Sequence, residues 1–113
     1  MVNFCKVTEK QAEKSHTKQF NCDIIKTNIS IRTRKPGDYI TIHEDGRTQK
    51  LKSYFINEKI PQEEREQILL VAEGSHVIWV VGYRTNPVYE VKTNTKRILE
   101  IQIDEGENYG REN

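Results

Sequence analysis

The stretch Arg47-Thr-Gln-Lys-Leu-Lys-Ser-Tyr-Phe-Ile-Asn-Glu-Lys-Ile-Pro61 decides how the chain is read. Leu51, Tyr54, Phe55 and Glu58 fall at i, i+3, i+4 and i+7, so the three apolar residues share one face of a short helix. Lys50, Lys52 and Ser53 occupy the rest of its surface. Thr48, following the Asp45-Gly46 turn, is the expected N-cap. Pro61 suits the first position of a second short helix, with Glu63 and Glu64 in the first turn, where the macrodipole favours acids. Beyond it, Ile68-Leu-Leu-Val-Ala72 and Val77-Ile-Trp-Val-Val81 are apolar runs of strand length. They predict two buried strands joined at Glu73-Gly-Ser-His76.

Upstream, Ile29 and Ile31 alternate with Ser30, Arg32 and Arg34, as Phe20, Cys22 and Ile24 do with their neighbours, predicting half-buried strands. In Lys35-Pro-Gly-Asp38 the proline pre-sets φ at the first corner and Gly37 supplies a positive φ at the second. Tyr39 to His43 then reads as a strand closing a hairpin. Residues 1–19 are a polar lead-in, with loop or partly disordered character over Thr8 to Lys18. Downstream, Gly82 marks a bend or close approach, Arg84-Thr-Asn-Pro87 a turn, and Tyr89 to Val91 an extended piece. Ile98 to Ile103 closes the domain as a strand with Leu99, Ile101 and Ile103 on one face, and 104–113 is an acidic, frayed tail. Strands outnumber helices, so the fold class is α+β with a dominant antiparallel or mixed sheet.

At 113 residues the chain is one domain by size, with a modest core at 35% hydrophobic and 31% charged residues. It contains no run near the ~20 apolar residues of a membrane span and no signal-peptide core, so no membrane partner and a cytoplasmic setting are expected. Cys5 and Cys22 make neither a CxxC nor a Cys/His cluster, and two reduced thiols are expected.

Net charge is only +1, but its distribution is uneven. Residues 32–59 carry Arg32, Arg34, Lys35, Arg47, Lys50, Lys52 and Lys59 against Asp38, Glu44, Asp45 and Glu58. Residues 100–113 set five acids against Arg111. An acidic end thus conceals a basic middle. Arg32 and Arg34, two apart, share a strand face, either to clamp phosphates or with one of them tying Asp38 to the turn. His16, His43 and His76 are isolated and read as exposed surface residues. His43-Glu44-Asp45 resembles a fragment of a metal or acid–base site, but three adjacent residues at a strand end rarely converge. No Gly-rich phosphate loop and no nucleophile–base pair is present, so no catalytic residue, cofactor site or metal site is expected.

Lys50-Leu-Lys-Ser-Tyr-Phe-Ile-Asn-Glu-Lys-Ile-Pro61, then Glu63-Glu-Arg-Glu66, then Ile78-Trp-Val-Val-Gly-Tyr-Arg84 resembles the C-terminal domain of bacterial tRNA(Ile)-lysidine synthetases. Ile31-Arg-Thr-Arg-Lys-Pro-Gly-Asp38 upstream, and Tyr89-Glu-Val-Lys-Thr-Asn-Thr-Lys96 with Ile98 to Ile103 downstream, continue the likeness over residues 20–103 in one register. Ser53, Gln62 and Leu69 depart from the family pattern, Gln62 by removing a positive charge from its turn. The resemblance implies a β-rich, three-layer domain containing a β-sandwich of unusual topology and short helices, related to a domain of the phenylalanyl-tRNA synthetase β subunit.

The parent enzymes are ATP-dependent ligases whose catalytic N-terminal domain, with a Ser-Gly-Gly-x-Asp-Ser ATP-binding loop, adenylates an anticodon cytidine and replaces its oxygen with lysine. That loop does not occur in these residues. ATP and lysine would be substrates of the parent, and this chain a non-catalytic substrate module. Its implied partners are the tRNA acceptor stem and the catalytic domain of the same enzyme. An A-form stem is held through phosphates and 2′-hydroxyls. The pool of contacts for such a grip is Arg32, Arg34, Lys35, Lys50, Lys52, Arg65, Arg84, Lys96 and Arg97. Tyr54, Phe55 and Trp79 are candidates for stacking on a terminal base, although core packing suits Phe55 and Trp79 better. Tyr83 and Tyr89 are open. The alternative is a small β-rich protein-interaction or oligomerisation module.

Overall fold

The computed structural model describes the backbone of residues 3–10 and 14–105, and the side chains from 16 to 103. Two compact units are present: Ile25–Tyr89, and a second composed of the residues up to Ile24 together with those from Glu90 onward. The class is α+β, as expected.

Unit Ile25–Tyr89 is built on a mixed sheet. Its strands are β3 (Ile29–Arg32), β4 (Tyr39–Thr41), β5 (Thr48–Lys50), β6 (Leu70–Glu73), β7 (His76–Val80) and β8 (Arg84–Thr85), in the order β3-β6-β7-β4-β5, with β8 on the far end of β7. The register slips between Val71 and Ala72, which lets apolar residues on both sides of the slip reach the core. Helix α1 (Leu51–Asn57) lays Leu51, Tyr54 and Phe55 against that sheet. They form one cluster with Ile40, Ile60, Leu70, Val77 and Val80. Phe55 is fully buried and Trp79 is 1% exposed, so both are core residues as their positions predict.

Helix α1 ends in a Schellman motif: Ile60 N–H bonds Phe55 O at 3.1 Å and Lys59 N–H bonds Ile56 O at 3.0 Å. Lys59, at φ 59°, occupies the left-handed position that glycine usually fills. Pro61 is the N-cap of α2 (Gln62–Arg65) rather than its first residue, and Glu63 and Glu64 lie in its first turn.

Several expectations are corrected. Thr48 is not the cap of α1; it belongs to β5, and Lys50 is the N-cap without a side-chain bond. The Leu51 N–H bonds Asp38 O at 2.9 Å instead. The Lys35–Asp38 turn forms as expected, with Gly37 at φ 89° and an Asp38 N–H to Lys35 O bond of 3.2 Å. It does not close a hairpin. β3 pairs with β6, whereas β4 lies between β7 and β5. Turns of this hand splay their flanking strands.

The second unit has a three-stranded sheet in the order β1-β9-β2. β9 (Arg97–Glu105) pairs parallel with β1 (Asn3–Lys10) and antiparallel with β2 (Lys14–Asn21). Leu99, Ile101 and Ile103 are buried along β9, as their alternation predicts. The polar lead-in is therefore strand over 3–10 and 14–19, because backbone pairing with β9 needs no apolar period. Cys22–Ile24 is a short 3-10 turn where a strand was expected. Pro87–Tyr89 is another, running from the end of the expected turn into the start of the expected extended piece, while Arg84–Thr85 of that turn is strand β8. Asp104 and Glu105 of the acidic tail belong to β9, and 106–113 lie outside the described residues.

Candidate nucleic-acid interface

The Lys35–Asp38 turn, the start of α1 and helix α2 enclose a groove of about 710 Å³. Arg34, Lys35, Lys50, Lys52 and Arg65 line it, together with Gln62, Asp38 and Glu66. Five of the nine predicted contact residues thus meet on one surface. Both acids are already engaged. Asp38, 4% exposed, is held by Arg32 and by the Lys35 N–H at 2.8 Å. Glu66 pairs with Arg34 at 2.9 Å. Among the described residues Lys35, Lys50 and Lys52 have no carboxylate partner, so their charge is left unneutralised by an ion pair at the groove. Arg65 Nε donates to Ile60 O at 2.8 Å, which orients its guanidinium from the helix end.

The remaining predicted contacts are placed elsewhere. Arg32 and Arg34 do not form a guanidinium pair: β3 ends at Arg32, and each arginine turns to its own carboxylate. Arg32 donates to Asp38 Oδ2 and Oδ1, both at 2.9 Å, and to Gly74 O. It is the arginine that ties Asp38 to the turn. Arg84 donates to Thr85 O and Ile42 O, both at 3.3 Å. Lys96 and Arg97 belong to the other unit, where their backbone N–H groups bond Asp23.

Tyr54, Phe55 and Trp79 are 4%, 0% and 1% exposed and offer no ring face to a base. Tyr89 is buried too, whereas Tyr83 is exposed.

His76 is not a surface histidine. Its Nε2 lies 2.8 Å from Thr41 Oγ1 and 3.0 Å from Asn86 Nδ2, and its Nδ1 lies 3.3 Å from Tyr89 Oη. Asn86 Nδ2 also donates to Val77 O at 2.8 Å, so its two hydrogens are directed at Val77 and His76. Nε2 is then an acceptor and the proton sits on Nδ1. Burial holds the His76 pKa below the ordinary histidine value, against the opposing pull of Glu73. Tyr89 Oη donates to Glu73 Oε1 at 2.8 Å. Burial first, and this bond second, raise the tyrosine pKa. Glu73 is pushed up by burial, but donors from Tyr89, Thr27 and Lys26 outweigh it and lower its pKa.

Tyr39 stacks on His76, ring centroids 4.7 Å apart and planes 12° from parallel. Nothing in the sequence singles out Tyr39, the first residue of its expected strand. Only the sheet order, which sets β4 beside β7, brings the two rings together.

His43, Glu44 and Asp45 are all exposed, and Asp45 is occupied by Arg47. Among the described residues no group of three His, Cys, Asp or Glu could hold a metal ion. The Cys22 thiol is free, and the side chain of Cys5 lies outside the described residues. No helix of the described residues is long and apolar enough to cross a membrane.

Residues 29–103 match the family described as "TilS substrate C-terminal domain". The chain belongs to this family. The TilS C-terminal domain is also the subject of a crystal structure similar to this chain, with a TM-score of 0.61 and 27% identity over 83% of this chain and 73% of that one. The tRNA(Ile)-lysidine synthase of Caldanaerobacter subterraneus subsp. tengcongensis is 44% identical over 87 residues, 77% of this chain and 19% of that protein. That of Clostridium tetani is 41% identical over 89 residues, 79% and 19% respectively. In Clostridium perfringens the similarity reaches 96% of this chain, at 37% identity, and 23% of the relative. This TilS C-terminal domain thus spans about a fifth of the curated relatives it matches.

Proposed function

We propose that this TilS C-terminal domain holds the acceptor stem of a tRNA by its phosphates, as the substrate-gripping part of an ATP-dependent tRNA(Ile)-lysidine synthase in the cytoplasm. The catalytic domain of the same enzyme is its partner, and the chemistry with ATP and lysine belongs to that domain. The observation that carries this reading is the convergence of Arg34, Lys35, Lys50, Lys52 and Arg65 on one groove whose two acids are already engaged. An A-form stem buries its information-rich major-groove edges in a deep, narrow groove and is held mostly by its shape, phosphates and 2′-hydroxyls, so a rigid cationic groove suits it better than a base-reading surface.

The test is fluorescence anisotropy with a labelled acceptor-stem hairpin across a range of salt. Binding should weaken with salt at a log–log slope of roughly 0.7 to 0.9 per phosphate neutralised. Replacing Lys50 and Lys52 together by glutamate should lower that slope by about two phosphates' worth and weaken binding to any A-form stem. A folded Lys50→Glu/Lys52→Glu variant with unchanged affinity and slope would remove the groove from the contact surface.

A further inference from the structure

We propose that Tyr39, backed by His76, is a stacking platform for one unpaired nucleobase of the bound RNA, with Lys50 placed beside it for the adjoining phosphate. This rests on the reading of the groove as an RNA surface, and adds a single-stranded element to a ligand otherwise held as a duplex.

Tyr39 is 37% exposed although one face of its ring is covered by His76, so surface remains on it for a base to reach. The backing is rigid: the imidazole is held by Thr41, Asn86 and Tyr89, and meets the Tyr89 ring edge-on at 5.3 Å. Tyr39 N–H bonds Ser75 O at 3.0 Å, which fixes the backbone end of the residue as well. A ring already immobilised gives up little conformational freedom when a base lands on it.

Its position relates it to the groove. Tyr39 follows Asp38 directly and stands opposite Lys50 in the β4–β5 ladder, and both Asp38 and Lys50 line the groove. Residues directly opposite in an antiparallel pair point to the same side of the sheet, about 5 Å apart at Cβ. The two side chains therefore leave the same side of the sheet, at the margin of the cationic surface. Paired bases within a stem have no free face, whereas an unpaired nucleotide stacks readily on an aromatic side chain irrespective of its identity.

Two fluorescent hairpins with the same stem test this on the 113-residue chain, one blunt and one with a short single-stranded 3′ extension containing 2-aminopurine. The parent should bind the extended probe more tightly, on the order of ten-fold, and quench its 2-aminopurine. Tyr39→Phe should keep both effects. Tyr39→Leu, which still covers His76, and Tyr39→Ala should lose both while binding the blunt probe as the parent does. Melting curves identify any variant that fails to fold, and the leucine variant then decides. Equal binding of the two probes by the parent, or a gain retained by a folded Tyr39→Leu, overturns the platform and leaves the groove standing. A gain with quenching that survives when blunt-stem binding proves insensitive to salt keeps the platform and removes the groove. No binding to either probe overturns both.

Discussion

Arg32 grips Asp38 through two parallel N–H···O bonds, both 2.9 Å, with the carboxylate side chain only 2% exposed. The same carboxylate caps the Lys35 N–H, so one buried ion pair fixes the turn that forms a wall of the groove. Removing one partner of a buried pair strands the other charge, at a cost of about 3–5 kcal/mol. Arg32→Ala should therefore lower the urea midpoint sharply. Arg32→Lys should rescue little, because an ammonium cannot reproduce the two-pronged geometry. An unchanged midpoint in Arg32→Ala would show that the turn stands without the pair.

Lys59 closes α1 in a backbone conformation that costs a side-chain-bearing residue roughly 1–2 kcal/mol relative to glycine. Lys59→Gly should stabilise the chain by about 1 kcal/mol after the extra unfolded-state entropy of glycine is subtracted. Lys59 does not line the groove, so binding of the blunt hairpin should change little. Chemical denaturation and anisotropy on the same preparation check both halves.

The His76 site predicts a pH dependence. With its folded-state pKa depressed, the unfolded chain takes up a proton that the folded one resists. Stability from this group is complete above the ordinary histidine value of about 6.5 and falls as pH drops below it, until the folded form also protonates. The Glu73 carboxylate, whose pKa is also lowered, contributes in a separate window, lost as pH falls below the ordinary glutamate value. Melting temperature should decline from pH 7 to 5.5, and His76→Gln should flatten that decline. An equally steep decline in the variant would assign the dependence to other groups.

Trp79 fills the sheet interior, and its truncation to alanine should cost about 3–5 kcal/mol through lost burial and the cavity left behind. A Trp79→Ala variant that melts like the parent would contradict its place in the core.

What was legible in the sequence had a local cause. The face of α1, the Pro36-Gly37 turn and the alternation of Leu99, Ile101 and Ile103 are each set by neighbours within a few residues. The illegible parts depend on distant partners. β2 is polar, with Thr17, Lys18 and Gln19 exposed, and it is a strand because β9 offers it a backbone ladder. His76 looks like a turn residue until β4 and Asn86 are brought around it. The basic residues were visible as a pool. The sequence did not separate those in the groove from Arg32, whose task is structural, because both kinds carry the same charge pattern.

The three-stranded sheet of β1, β9 and β2 joins residues 77 to 94 positions apart, with the whole of Ile25–Tyr89 intervening. On a ribosome, β1 and β2 would emerge well before the strand that completes them. The intervening unit contains its own core and can settle during that wait. The two early strands then have open edges until β9 arrives, which makes them the segment most exposed to pairing with a neighbouring nascent chain. The polar character of β2 protects it during that interval, since an edge rich in lysine and other polar side chains resists adding a foreign strand.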